Sequence, residues 1–208
     1  MPVAREGWPF IAAAWIVLAI LAGLGWWIAA LIWAPIALWV LAFFRDPPRN
    51  RVRGETLVLA PADGKVVSVI PIDEPDFLGG AATRVSIFMN VFSVHVNRYP
   101  TAGTVRYRQY TPGSFVNAAA EKASRENEQC SIGVEAPQGR MLIRQIAGLV
   151  ARRIVTDHQS GREVAQGQRL GLIRFGSRVD LFLPPTATVT VATGATTRAG
   201  ETVVARWT

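Results

Sequence analysis

Three side chains able to break an acyl bond together stand far apart in this chain: Asp63 in APADGKV, His95 in NVFSVHVNRYP and Ser177 in GLIRFGSRVDLFLP. A serine hydroxyl is a weak nucleophile until a base removes its proton, and a histidine oriented by a carboxylate does this on many folds. Gly176 precedes Ser177, and glycine permits backbone geometry closed to other residues. Such geometry would expose the Gly176 carbonyl to the neighbouring hydroxyl. Each residue also has a plainer explanation. Asp-Gly is a common turn pair, a lone histidine among apolar neighbours is usually structural, and a glycine interrupting a strand often marks a bulge. Spacing alone leaves open whether the three meet. His158, in TDHQSG, reads as a loop residue without a role.

Composition narrows the setting. Cys130 is the sole cysteine, so an intramolecular disulfide is excluded and a reducing compartment is expected. Two histidines and no C-x-x-C pair argue against a metal site. The formal net charge is +7, and of 22 basic residues only Lys65 and Lys122 are lysines. The planar arginine fork suits phosphate and carboxylate groups, so an anionic membrane or a phosphorylated substrate is the expected partner. Nucleic acid is not, because no helix-turn-helix or RNA-binding signature occurs.

Two kinds of element must position these residues. From Trp8 to Phe44 run 37 residues without Asp, Glu, Lys or Arg. One bilayer crossing takes about 20 apolar residues. The run therefore predicts a transmembrane helical hairpin turning around 23–27, with Trp8, Trp26, Trp27 and Trp39 near the interfaces. A single long tilted helix is the alternative, and a cleaved signal peptide fits poorly because the run far exceeds its usual apolar length. Arg5 precedes the run while Arg45, Arg49, Arg51 and Arg53 follow it, so both ends are expected on the cytoplasmic side. The expected organisation is a membrane anchor over 1–44 and a catalytic β domain over 45–208.

From residue 54 onward, short runs such as ETLVLAP, KVVSVIPI, RVSIFMNV, TVRYRQY, SIGVEAP, RMLIRQIAG, TATVTVAT and ETVVARW alternate with Gly and Pro. In RVSIFMNV the residues Val85, Ile87, Met89 and Val91 share one face. This pattern predicts a mainly β domain of barrel or sandwich type. One short helix is expected over 117–128, in NAAAEKASRENE.

Several of these stretches together resemble one family. In order, FFRDPPR, APADGKV, SIFMNVFSVHVNR, KASRENE, QIAGLVARRI and GLIRFGSRVDLFLP are similar to the motifs of short, membrane-anchored phosphatidylserine decarboxylases. The resemblance implies self-cleavage between Gly176 and Ser177, with Ser177 as nucleophile, His95 as processing histidine and Asp63 as the family's carboxylate. It implies that Ser177 becomes a covalent pyruvoyl cofactor, and that the pieces 1–176 and 177–208 stay together as a heterodimer. It implies phosphatidylserine as substrate, phosphatidylethanolamine as product and the cell membrane as location. The pyruvoyl ketone would serve as electron sink for the carbanion left by decarboxylation, the task pyridoxal phosphate performs elsewhere.

Two departures stand out. Longer members carry a second histidine three residues before the His95 counterpart, where this chain has Phe92. The family's usual Asn-Glu-Arg reads Asn127-Glu128-Gln129, which removes one arginine. Arg98, Arg125, Arg152 or Arg153 could take over its anion contact, and Arg98 is the first choice as it follows His95 by three residues. A different class remains possible: APADGKVVSV is similar to the opening hairpin of carrier modules, in which His95 would accept a phosphoryl group.

Overall fold

The computed structural model describes residues 2–49, 53–114, 126–148, 154–174 and 176–208, in two compact units, Met1–Pro48 and Arg49–Thr208. The expected helix over 117–128 lies outside the described residues except for 126–128.

In the first unit, a short 3-10 turn (Arg5–Gly7) leads into α1 (Trp8–Gly23), which is followed by α2 (Trp27–Phe43). The reversal between them uses Gly25 at φ 75, a conformation readily open to glycine. The helices pack through small residues, with Ala14, Ala30 and Ala37 buried, while Trp8, Trp27, Ile28, Leu31 and Ile32 point outward. Trp33 Nε1 donates to the Ala14 carbonyl at 2.8 Å and ties one helix to the other. At the open end, the Ala4 amide donates to Phe44 O (2.8 Å) and the Asp46 amide to Pro2 O (2.9 Å), so the two chain ends are clasped side by side. Helices that are apolar all round, with burial limited to Ala14, Ala30, Ala37 and Phe43, suit a lipid environment. The stretch Arg5–Gly23 is long and apolar enough to cross a membrane, whereas Trp27–Phe43 is shorter.

The second unit is mainly β. Its strands are β1 (Leu57–Leu59), β2 (Gly64–Glu74), β3 (Gly80–Met89), β4 (Val96–Arg98), β5 (Gly103–Thr111), β6 (Gln129–Ala136), β7 (Gly139–Ile146), β8 (Ile154–Thr156), β9 (Glu163–Val164), β10 (Arg169–Ile173), β11 (Ser177–Leu183), β12 (Ala187–Val189), β13 (Thr196–Thr197) and β14 (Val203–Trp207). A curled eight-stranded sheet has the order β13-β2-β3-β11-β7-β6-β5-β9. Two three-stranded sheets, β1-β14-β12 and β4-β10-β8, complete the fold, and all pairings of named strands are antiparallel.

The period of two decides what each strand buries. Val85, Ile87 and Met89 of β3 and Val179, Leu181 and Leu183 of β11 all enter the main core, with Ile143 of β7 and Ile132 of β6. The opposite face of β11 carries Arg178, Asp180 and Phe182. Arg178 Nε and Nη2 donate to the two Asp180 oxygens at 2.6 and 3.1 Å, a forked pair that keeps both charges satisfied without water.

Two expectations change. The strand expected through Val91 stops at Met89, because Asn90 Oδ1 accepts from the Phe92 amide (2.9 Å), the Ser93 amide (3.1 Å) and the Ser93 hydroxyl (3.2 Å), closing a side-chain turn. GLIRFGSRVDLFLP is not one interrupted strand either. Its first half is β10 and its second half β11, in different sheets, so Gly176 and Ser177 stand where the chain passes from one to the other.

Gly171 holds the smaller sheet closed. It faces Asn97 on β4 and Thr156 on β8, and a Cβ there would lie 2.0 Å from the Val155 carbonyl oxygen. A Gly171→Ala variant must push β8 away. We expect it to lose about 1–3 kcal/mol of stability, read as a melting temperature lower by roughly 2–4 °C per kcal/mol. An unchanged melting temperature would show that β8 shifts without cost.

Candidate functional site

Ser177 is the first residue of β11 and faces Met89 of β3. Alternation directs both side chains to the face that carries Ile87 and Val179. Ser177 is 0 % exposed, and its Oγ has no hydrogen-bond partner among the described residues. Leaving a buried hydroxyl unsatisfied costs about 1–3 kcal/mol, so a hydroxyl in this state calls for a reason. Gly176, just before it, has φ 58. A Cβ there would meet nothing within 4 Å, so the demand for glycine comes from the backbone conformation and not from crowding.

His95 is brought to the same place by pairing of the smaller sheet. Val96 faces Leu172, and the Ile173 amide reaches the His95 carbonyl at 3.4 Å. Three residues link Ile173 to Ser177, which confines their Cα atoms to within about 14 Å. His95 is fully buried, at 0 % exposure. Its Nδ1 lies 2.9 Å from the Ser93 carbonyl. A carbonyl only accepts, so this contact assigns the proton to Nδ1 and leaves Nε2 as the basic nitrogen of the neutral ring.

Asp63 immediately precedes β2. Lys65 faces Phe88, which in turn faces Arg178, so Asp63 lies at the Ser177 end of the large sheet, two strands away. Its Oδ2 accepts from Arg49 Nη2 at 2.8 Å and its Oδ1 from the Ala199 amide at 2.7 Å. Arg49 also pairs with Glu201 at 3.2 Å. The Arg98 amide donates to the Pro61 carbonyl (2.9 Å), which stitches the Asp63 loop to β4. Asp63, His95 and Ser177 thus converge on one end of the domain.

The expected substrate contacts are more dispersed. Arg98 Nη1 donates to the Gly167 carbonyl at 3.2 Å. Phe92 sits at the tip of the Asn90 turn, 71 % exposed. Arg125, Arg152 and Arg153 lie outside the described residues. His158, expected as a plain loop residue, has its ring against Tyr99 with centroids 5.5 Å apart, and its Nε2 accepts from Gln168 Nε2 at 3.0 Å. Burial, then the Asp157 carboxylate, pushes the Tyr99 phenol far above its ordinary value, so it stays protonated.

Sequence reasoning missed Arg49 as the partner of Asp63, because the arginines after the apolar run were read for topology alone. It also missed a buried polar chain at the same end. Gln145 Nε2 donates to Asn97 Oδ1 (2.8 Å), and Thr156 Oγ1 donates to Gln145 Oε1 (3.2 Å).

The chain is similar to known proteins along nearly its whole length. The family model for phosphatidylserine decarboxylase matches residues 36–205. A phosphatidylserine decarboxylase proenzyme of Nitrosomonas eutropha is 48 % identical over 206 residues, covering 99 % of this chain and 95 % of the relative. Proenzymes of the same name from Symbiobacterium thermophilum (47 % identical, 98 % and 95 % covered) and Nitrosomonas europaea (48 %, 99 % and 95 %) are similar to it over the same extent. With identity of this order along nearly its whole length, the chain belongs to the phosphatidylserine decarboxylase family.

Proposed function

We propose that this chain cuts itself between Gly176 and Ser177, converts Ser177 into a pyruvoyl group, and with it decarboxylates phosphatidylserine to phosphatidylethanolamine. The observation that carries the reading is the Ser177 hydroxyl, buried and without a partner among the described residues, directly after a glycine at positive φ. The word proenzyme in the names of the relatives supports it further. No observation favours a phosphoryl carrier.

His95 Nε2 takes the Ser177 proton as Oγ adds to the Gly176 carbonyl, and returns it to the Ser177 nitrogen as the peptide bond opens to an ester. The Ser93 carbonyl holds the imidazole tautomer, while the nearby Asp63 charge favours the imidazolium that forms. Elimination at the ester releases the Gly176 carboxylate and leaves a dehydroalanine, whose imine form takes up water and loses ammonia, giving the pyruvoyl group at the start of the 177–208 piece. That group supplies the electron sink for decarboxylation. Arg98 is proposed to hold the anionic headgroup, and Phe92, exposed just before His95, to meet the apolar part of the lipid.

The two pieces are proposed to remain one heterodimer. Residues 177–208 carry β11 to β14, and β11 lies between β3 and β7 of the other piece. The helical unit is proposed to anchor the protein in the cell membrane with the β domain on the cytoplasmic side.

Purified protein is expected as two pieces, the smaller with a blocked N-terminus that reacts with borohydride. Ser177→Ala removes the nucleophile and should stay one inactive chain by intact mass. His95→Ala and Asp63→Ala should remain uncut or be cut at least about 100-fold more slowly, the low end for removing a general base. Wild-type protein that releases carbon dioxide while remaining a single chain would end the pyruvoyl reading.

A separate measurement addresses Arg98. Once processed, Arg98→Ala should raise KM for phosphatidylserine more than it lowers kcat, the mark of lost ground-state binding. Unchanged kinetics would remove Arg98 from the site. For topology, a reporter fused after Thr208 should read as cytoplasmic, and a periplasmic signal would overturn the hairpin orientation.

A further inference from the structure

The inner end of the core, where Ser177 sits, is not apolar. Asn97 and Gln145 are both 0 % exposed. The Gln145 carboxamide faces inward between Asn97 and Thr156, anchored at both ends by the hydrogen bonds described above. Asn97 is thereby fixed with its oxygen toward Gln145 and its amino group turned away. That amino group, Nδ2, has one partner among the described residues, the Met89 sulfur at 3.6 Å. A thioether is a weak acceptor, so a buried group with two N–H donors is left with almost nothing to hold. The orientation is not arbitrary, because a sulfur acceptor selects the N–H side of the carboxamide over the oxygen side.

Met89 is also the residue that faces Ser177 across the β3–β11 pairing. One side chain therefore separates an under-used buried donor, Asn97 Nδ2, from an unpartnered buried hydroxyl, Ser177 Oγ. Each is costly alone in a low-dielectric interior, and Ser177 adjoins the bond proposed to be cut. The methionine between them is unbranched and adaptable.

We propose that Asn97 is the oxyanion donor of the self-cleavage step, an inference that rests on the proposed pyruvoyl reading. As Ser177 Oγ bonds to the Gly176 carbonyl carbon, the carbonyl π pair becomes an oxyanion and the Ser177 proton passes to His95 Nε2. Asn97 Nδ2 donates to that oxyanion. The oxyanion then collapses, the bond from carbon to the Ser177 nitrogen breaks, and the same proton moves to that nitrogen. No outside reactant is needed. Gln145 and Thr156 are positioning residues: they hold the carboxamide but do not touch the reacting atoms.

The test uses full-length protein made by cell-free synthesis, with cleavage followed by intact mass against time, with and without hydroxylamine. Asn97→Ala should slow cleavage by roughly 10²–10³-fold, the usual loss for one oxyanion donor. Added hydroxylamine should not speed it, because the ester that hydroxylamine attacks does not form. Asn97→Gln, which retains a donor, should recover part of the rate. Melting temperatures of Ser177→Ala and of the Ser177→Ala, Asn97→Ala double variant, both single chains, separate a loss of fold from a loss of donor. If the double variant is unfolded at the assay temperature, the near-isosteric Asn97→Asp carries the same comparison. Cleavage at the wild-type rate, or prompt cleavage of Asn97→Ala by hydroxylamine, overturns the assignment while leaving self-cleavage standing. Wild-type protein that never cleaves overturns the underlying reading instead.

Discussion

A chain that leaves one sheet and enters another must give up its ladder in between, and in this domain that happens between the end of β10 at Ile173 and the start of β11 at Ser177. On one side, β10 is hydrogen-bonded to both β4 and β8; on the other, β11 is hydrogen-bonded to both β3 and β7. Both strands are held on two edges, so neither can slide to relieve the link. The chain has few residues in which to pass between these fixed ends, and Gly176, directly before β11, takes φ 58. Only a residue without a side chain adopts that conformation at little cost. The strand pairings therefore dictate a glycine at 176, and they aim Ser177 inward as the first residue of β11.

The same end of the domain concentrates buried polarity. Farther along β11, Val179, Leu181 and Leu183 meet Val85, Ile87 and Ile143 in an ordinary apolar core. At its start, the neighbours are His95, Asn97 and Gln145, all without solvent contact. A fold selected for stability alone would fill this space with methyl groups, since half-satisfied polar groups in a low dielectric are a liability. Excluding water also strengthens each remaining dipole, which suits a reaction that must develop charge on a backbone carbonyl.

Much of the framework was legible in the sequence, and the reasons are specific. Val85, Ile87 and Met89 alternate because one face of β3 enters the main apolar core, and the 37 uncharged residues fold as a hairpin because Gly25 can reverse the chain. Asp63 was readable both as a turn residue and as a site residue, and it is at the turn before β2 at the Ser177 end of the sheet. The sheet change at Gly176 was hidden: two apolar runs around a glycine look alike whether they share a sheet or not. Arg49 and Asn97 were invisible as site residues because their partners, Asp63 and Gln145, are distant in sequence and become neighbours only through pairing of strands.

The Arg49 cluster shows how that pairing joins the two sides of the Gly176 bond. Arg49 and Asp63 precede it, whereas Ala199 and Glu201 follow it, and the Asp63 carboxylate is shared between them through the Arg49 guanidinium and the Ala199 amide. The side chains are 9 % exposed for Arg49 and 15 % for Asp63, too enclosed for the near-zero worth of an exposed pair. Removing one member of a buried pair costs about 3–5 kcal/mol, because the other is left charged and unpaired. A carboxylate gripped from both sides of the bond would be held in place through the proposed cleavage. The contacts that orient Asp63 beside the site are thus also contacts that hold residues 177–208 to the rest of the domain, so the electrostatics of the site and the cohesion of the fold rest on the same few atoms.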